Sequence, residues 1–385
     1  MKLGIITDCV HFYNSNGEVS TENHIFLRQM ESLGSYFTET LVCCPFSTFD
    51  LDKVYSTYDK KSIKFIPLPD VGGNTIAEKL KLFTAIPAWL AAFKKINKAS
   101  DVVYQRFPNN LNIPGFFYFF LKKKPVFATY TGTWDGYLNE PKTYRLQRWL
   151  LQKYFRGPVW VYKSETTDPR IKPGFSPSYN IKEWKEEWDQ VAARLARLEN
   201  EGLPLLKLIT VGALVDYKNQ IAIIKACAIL KSRKVPFKLT IVGDGPMKQT
   251  LADCITKNDL KEEVILAGKK NHVALRELYR QHDFVVQAPL SEGFGKVPVE
   301  GFFHGVIPVI NNIAMAKYMT GNMERGFLFN AADTFELADT LTTLREDPET
   351  LITMIKNGRE FARSQTLESW AEDYYLTITN YFERA

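Results

Sequence analysis

Short β-branched apolar runs alternate with longer stretches of helical periodicity along the whole chain. In the first half, Leu3–Thr7, Thr40–Cys44, Ile63–Pro67, Val102–Gln105, Val126–Tyr130 and Val159–Tyr162 read as strands, with helical spacing around 22–34, 77–98, 113–123 and 142–155. The second half repeats the pattern with Lys207–Val211, Lys238–Val242, Glu263–Leu266, Phe284–Gln287 and Ile307–Val309. Strands separated by helix-length segments argue for parallel sheets covered on both faces. The spacing therefore predicts an α/β chain of two Rossmann-like domains with parallel sheets facing a cleft. Residues 1–170 form the first domain and 205–366 the second. The segment 171–204 is punctuated by Pro173, Gly174, Pro177, Gly202 and Pro204 and reads as a connector. The amphipathic stretch 367–385 is expected to pack back on the first domain.

Composition narrows this picture only a little. The 385 residues suit two domains, and 45% hydrophobic with 24% charged residues is ordinary for a soluble globular chain. Cys9, Cys43, Cys44, Cys227 and Cys254 form no Cys-x-x-Cys pair, which fits a reduced protein without structural zinc. Met1–Asp8 reads as a first strand rather than a signal peptide. No apolar stretch reaches the roughly 18 residues that span a bilayer. A cytoplasmic location is expected, with peripheral membrane association at the inner face of the plasma membrane left open. The net charge is +6, and residues 1–165 hold 21 Lys and Arg against 14 Asp and Glu. A basic half attracts phosphate-bearing substrates or anionic lipid, although solubility explains such a balance equally well. No dense basic-aromatic stripe appears, so nucleic acid is not expected as a partner.

Candidate chemistry concentrates in the second half. Ser291-Glu292-Gly293-Phe294-Gly295-Lys296-Val297-Pro298-Val299-Glu300 follows a predicted strand and leads into a helix. Ligands of open parallel sheets bind outside the carboxyl ends of the strands. Glu292 and Glu300 are thus placed to accept hydrogen bonds from a polyhydroxylated ligand, and Gly293 and Gly295 let the backbone approach it. Two further loops follow strands of the same sheet: Gly212–Asn219, which contains Lys218, and Gly243-Asp244-Gly245-Pro246. Helix amino termini with free N–H groups suit a diphosphate, and Lys218 adds a full charge. Three other features carry less. Asp50-Leu51-Asp52 reads as a solvated turn. His11, His24, His272, His282 and His304 show no metal-ligand spacing. Leu111–Leu121, followed by Lys122-Lys123-Lys124, reads as a buried crossover helix rather than a membrane-surface helix.

On these motifs, with "VILAG" at 264–268 and "GVIPVI" at 305–310, residues 206–365 resemble the donor-binding domain of retaining glycosyltransferases of family 4, which have the two-domain GT-B architecture. The resemblance implies that Glu292 contacts the donor hexose and Glu300 the ribose. It also implies that Gly293, Phe294 and Gly295 lie near sugar and phosphates, and that Lys218 meets the diphosphate. Gly243 belongs to the second of the donor loops. Two positions depart from the family pattern. Ala213 stands where an Arg is usual, and Thr131 stands near the place of a sugar-contacting His.

In the first domain the strand-end rule selects three loops, at Asn14–Ser20, Arg106–Asn110 and Thr131–Tyr137. Gly17 could bring backbone N–H groups to the phosphates. Arg106 could replace the missing Arg or bind an acidic acceptor. Trp134 could stack on a sugar, and Asp135 could orient an acceptor hydroxyl. The implied activity is metal-independent, retaining transfer of a hexose from a nucleotide-diphosphate sugar to a glycan or lipid-linked acceptor. Lys218 and Glu292 carry the chemistry, and no cofactor is required. The alternatives are a non-catalytic sugar-nucleotide-binding subunit, a nucleotide-sugar epimerase, or a phosphorylase.

Overall fold

The computed structural model describes residues 1–383 apart from 51–52, 73–75, 138–139 and 314. Leu51 and Asp52, and with them most of the Asp-x-Asp motif, lie outside the described residues. The chain packs as two units, Met1–Ser178 with Leu367–Ala385, and Tyr179–Thr366.

The first unit contains strands β1 (Lys2–Ile6), β2 (His11–Tyr13), β3 (Val19–Thr21), β4 (Glu39–Phe46), β5 (Ser56–Thr57), β6 (Ile63–Pro69), β7 (Val102–Phe107), β8 (Val126–Thr133), β9 (Val159–Tyr162) and β10 (Ile171–Pro173). Its first helices are α1 (His24–Gly34), α2 (Ile76–Ala99), α3 (Asn112–Leu121) and α4 (Lys142–Tyr154). The parallel part of the sheet runs β10-β9-β8-β7-β1-β4-β6. Side chains alternate faces along each strand. On β7, Val103 enters a core layer with Phe93 of α2, Phe116 of α3 and Leu151 of α4. Its neighbours Val102 and Tyr104 enter the opposite layer with Phe26 of α1. An antiparallel hairpin of β2 and β3, extended by β5, continues one edge. The sequence pattern did not predict it, because three-residue strands rich in Ser, Thr and Tyr carry no apolar run.

The second unit comprises α5 (Ile181–Glu186), α6 (Trp188–Glu201), β11 (Leu206–Val211), α7 (Gln220–Ser232), β12 (Phe237–Val242), α8 (Lys248–Lys257), β13 (Val264–Gly268) and α9 (His272–Gln281). It continues with β14 (Phe284–Gln287), α10 (Lys296–Phe303), β15 (Ile307–Asn311), α11 (Ala316–Thr320), β16 (Phe327–Phe329), α12 (Thr334–Thr343) and α13 (Pro348–Ser364). Its sheet is wholly parallel, in the order β13-β12-β11-β14-β15-β16. The last helix, α14 (Leu367–Glu383), belongs to the first unit. Tyr374 stacks on Trp160 with centroids 3.8 Å apart, and its hydroxyl pairs with Thr129 at 2.8 Å.

The expected connector over 171–204 is corrected by the structure. β10 adds a strand to the first sheet, and α5 and α6 are part of the second unit. The physical reason is buried charge that the Pro and Gly punctuation does not reveal. Glu187 is buried and accepts hydrogen bonds from Arg276 and Arg280, both at 2.6 Å, and from His304 at 3.0 Å. Burial opposes its ionisation, yet His304, Arg280 and Arg276 hold the carboxyl below the usual range. Buried Arg194 on α6 likewise pairs with Asp283 at 2.8 Å. Removing one partner of such a pair costs far more than a surface pair is worth, so these helices are fixed to the second sheet.

Candidate functional site

In the second sheet the third, second and first strands lie on one side, and the fourth, fifth and sixth on the other. The chain reverses direction across the sheet between β11 and β14, and a crevice opens at such a point beyond the strand ends. The loops leaving these two strands carry Lys218 and Glu292–Gly295. Gln287, at the end of β14, donates through Nε2 to Val211 O at 3.3 Å, and Leu290 N donates to Tyr217 O at 2.7 Å. With the two loops tied in this way, the Lys218 ammonium forms an ion pair with the Glu292 carboxylate. Both side chains are mostly but not wholly buried.

Close backbone packing sets the neighbouring loops. Gly212 N donates to Val242 O, and Gly243 N to Gly268 O, each at 3.0 Å. A Cβ on Gly243, whose φ is +148°, would lie 1.9 Å from Gly212 O. Gly243 therefore has a packing reason to be glycine, whatever ligand approaches it. Gly295 adopts a left-handed φ of +74° and caps α10. Gly293 is half-buried in the same loop, and the Phe294 ring is buried, leaving that segment's backbone as its contribution. Glu300 is the fifth residue of α10 and only 7% exposed. It accepts a hydrogen bond from the Tyr279 hydroxyl at 3.1 Å. Tyr279 stacks on His304, which bonds to Glu187. The Glu300 carboxylate thus stands at one end of a buried polar chain, whereas Glu292 faces Lys218.

Sequence reasoning missed Tyr279. Leu275 and Tyr279 are four residues apart on α9, a spacing that signals a buried helix face. It does not reveal which group the hydroxyl meets. Asn311 was also missed. It is buried, donates to Pro289 O at 2.8 Å and accepts from Ala331 N at 2.9 Å, which braces the start of the Glu292 loop.

The first sheet has the same kind of reversal, between β1 and β7. A cavity of about 250 Å³ opens at the carboxyl ends of β1, β4, β6 and β7, with Asp8, Asp70, Asn109, Tyr144 and Trp89 among its walls. None of the four substrate-contact candidates of this unit, Arg106, Thr131, Trp134 and Asp135, is among its walls. Arg106 is half-buried with its guanidinium 4.9 Å over Phe26. Thr131 donates to Phe107 O at 3.0 Å. Asp135 is exposed and pairs with Lys163 at 2.8 Å. The expectation that Trp134 stacks on a sugar is corrected. The indole is 7% exposed, belongs to the core layer and meets Tyr130 edge-on at 5.3 Å. Burial in that layer leaves no open ring face for a sugar to stack on. Gly17 is also re-sited. It lies at the tip of the β2–β3 hairpin, with its N–H donating to Asn14 O at 3.0 Å. A Cβ there would touch nothing within 4 Å.

Comparison with known proteins shows what the chain is similar to. Residues 196–361 match the family described as Glycosyl transferases group 1. Solved structures align along the whole chain. Anabaena Alr3699/HepE in complex with UDP and glucose has a TM-score of 0.73 at 16% identity, covering 98% of this chain and 99% of that one. Sucrose-phosphate synthase from Thermosynechococcus elongatus has a TM-score of 0.72 at 17% identity, covering all of both chains. The fold is GT-B, with two α/β domains built on parallel sheets. Among curated relatives, N-acetyl-alpha-D-glucosaminyl L-malate synthase of Bacillus anthracis is 28% identical over 38% of this chain and 39% of its own length. D-inositol 3-phosphate glycosyltransferase of Corynebacterium glutamicum is 26% identical over 53% of this chain and 50% of its own length. The chain thus spans between two fifths and half the length of these relatives.

Proposed function

We propose that the protein is a retaining glycosyltransferase of the family 4 type. It would move a hexose from a nucleotide-diphosphate sugar to a glycan or lipid-linked acceptor. The observation that carries this reading is the Lys218–Glu292 pair, held where the second sheet reverses between β11 and β14. An incoming diphosphate would take over the ammonium, while Glu292 turns to the hexose hydroxyls. Bond cleavage builds negative charge on the departing diphosphate. Lys218 and the N–H groups at the start of α10 would stabilise that charge more in the transition state than in the ground state. Glu300, held by Tyr279, would bind the ribose, and the Gly293–Gly295 backbone would lie against sugar and phosphates.

In this reading no metal or cofactor is needed. The acceptor would use the cavity walled by Asp8, Asp70 and Asn109. Attachment to the inner face of the plasma membrane would bring the enzyme to lipid-linked acceptors. The UDP and UDP-glucose complexes of the Anabaena neighbour support a nucleotide-sugar as donor class. A thermal-shift screen over nucleotide-sugars tests the proposal. The correct donor at about 100 times its Kd should add about 2.7 kcal/mol of stability, and Lys218→Ala should lower transfer about 10²–10³-fold while the protein stays folded. If no nucleotide-diphosphate sugar raised the melting temperature, the reading would be abandoned. Ala213, in place of the usual Arg, favours one other reading, a subunit that binds the donor without turnover. Donor binding with no transfer to any offered acceptor would select it.

A further inference from the structure

Helix α3 meets two environments. Leu111, Phe116 and Phe119 are buried, whereas Phe117 is 50% and Leu121 is 76% exposed. These two residues are four apart and share an outward face. Lys122, Lys123 and Lys124 follow at once, and the end of α4 adds Lys153, exposed Tyr154 and Arg156. Lys124 is engaged, donating to the carbonyls of Asn97 and Ser100. Lys123 and Arg156 are exposed, and the Arg156 guanidinium lies 4.1 Å over the Phe120 ring. The acid that α14 contributes beside Phe382 is Glu383, so cations dominate the segments that meet here.

Some of these residues line a cavity of about 220 Å³ at the amino-terminal end of β8. Its walls include Phe116, Phe119, Phe155 and Phe382, together with Lys123 and Arg156. Apolar cavities of about 150 Å³ already admit benzene. This cavity is distinct from the one at the carboxyl ends of the strands, and the proposed transfer chemistry makes no use of it. An aromatic hollow lined in part by exposed cations, with apolar side chains displayed on the same helix, matches a ligand with a hydrocarbon chain and an anionic head. We propose that the cavity holds one acyl chain of an anionic membrane lipid, so that the first unit docks on an anionic bilayer through the end of α3 and α4. This rests on the membrane attachment in the functional reading above but not on its transfer chemistry. Gln105 also lines the cavity. It is fully buried, and its Oε1 has no hydrogen-bond partner. A polar atom of this kind disfavours a hydrocarbon neighbour and limits how far a chain can enter.

The test is co-sedimentation of the full chain with phosphatidylglycerol and with phosphatidylcholine vesicles. Alongside it, the melting temperature is followed with monomeric decyl phosphate, and transfer to a soluble acceptor is measured. The expected result is binding to the anionic vesicles only, a raised melting temperature with decyl phosphate, and competition between the two. Lys123→Glu with Arg156→Glu, both on the surface, should weaken vesicle binding about tenfold or more. Gln105→Leu should strengthen the decyl phosphate effect. Equal binding to both vesicle types, or no loss in the double variant, would overturn the proposal. Vesicle binding without any decyl phosphate effect would overturn the cavity as the acyl site. Failure of vesicle binding with transfer intact defeats this inference alone, and the converse defeats the transfer reading alone.

Discussion

The two sheets reverse direction at equivalent points, between β1 and β7 in the first and between β11 and β14 in the second, yet the loops there are built differently. In the second unit the loops pack backbone against backbone. Gly243 sits on Gly212 O and Gly245 on Leu214 O, and the partly buried Lys218–Glu292 ion pair joins side chains from opposite sides of the reversal. In the first unit side chains fill the corresponding places: Asp8, Asn109 and Tyr144 line a cavity, and Trp134 is folded into the core. A backbone surface presents fixed N–H donors and suits an invariant group such as a diphosphate. A surface of side chains can be varied without disturbing the sheet and suits a partner that differs between relatives.

The largest effect expected from breaking this contrast is at a pair of glycines. Gly243→Ala forces a Cβ to 1.9 Å from Gly212 O at a φ of +148°. It should cost about 4 kcal/mol, at the diagnostic end of single substitutions, and should remove nucleotide binding with it. Gly17→Ala has a positive φ of +76° but open space around the new methyl. It should cost about 1 kcal/mol through backbone strain alone. Urea unfolding of the two variants measures the difference. Equal costs would show that the loops of the second unit relax as readily as a hairpin tip.

Next in size is Lys218→Ala. Loss of one preorganised charge partner in a transition state costs about 10²–10³ in kcat. Stopped-time assays with saturating donor should show that drop with little change in melting temperature. An unchanged rate would move the phosphate role away from the second unit's loop and toward Arg106.

Much of this contrast could be read before any coordinates. The strand runs were legible because β-branched clusters bounded by Gly and Pro have few other readings. Lys218 and Glu292 could be assigned to one site in advance because both follow strands of one alternating series, but their ion pair could not. What escaped depended on partners distant in sequence. Trp134 looked available on a loop, since nothing local says that Tyr130 will meet its ring. Tyr279 looked like any apolar helix position, since only the fold brings its hydroxyl to Glu300. Glu187 and Arg194, whose buried pairs fix α5 and α6, hid in a segment whose Pro and Gly punctuation suggested a connector.

Buried histidines offer a pH test of the same comparison. His11 in the first unit is fully buried, bonded to Cys9 O at 2.8 Å and to the Tyr58 hydroxyl at 3.0 Å. Burial lowers its pKa to about 4, and the Cys9 carbonyl only partly offsets this. The unfolded chain therefore binds the proton first as pH falls. The stability linked to His11 is fully present above about 6.5 and is lost as pH falls through about 4. It amounts to about 3 kcal/mol. In the second unit burial also lowers the pKa of His304, but the ionised Glu187 beside it opposes that shift. Urea midpoints between pH 7 and pH 4 should fall, and His11→Gln should flatten the slope. A slope untouched by that change would locate the acid-sensitive group elsewhere.

In the proposed reading Glu300 meets the ribose and Glu292 the hexose. Glu300→Ala should weaken binding of the free nucleotide about tenfold or more, the scale of a charge-assisted hydrogen bond. Glu292→Ala should leave it nearly intact while lowering transfer. Calorimetry with the nucleoside diphosphate separates them, and equal affinity in both variants and the wild type would remove the ribose role of Glu300.

The smallest change tests whether the first unit uses its exposed charges at all. Asp135 is 69% exposed in its pair with Lys163, and such a pair contributes about 0–1 kcal/mol. Asp135→Asn keeps the shape and removes the charge, so the melting temperature should scarcely move. If Asp135 orients an acceptor hydroxyl, the KM for acceptor should rise several-fold while the KM for donor stays fixed. The pairing with Lys163 sets the opposing expectation, because a carboxylate already engaged on the surface need not face a substrate. An unchanged acceptor KM would leave the acceptor to the neutral and acidic walls of the 250 Å³ cavity, where Asp8 and Asp70 become the next charges to remove.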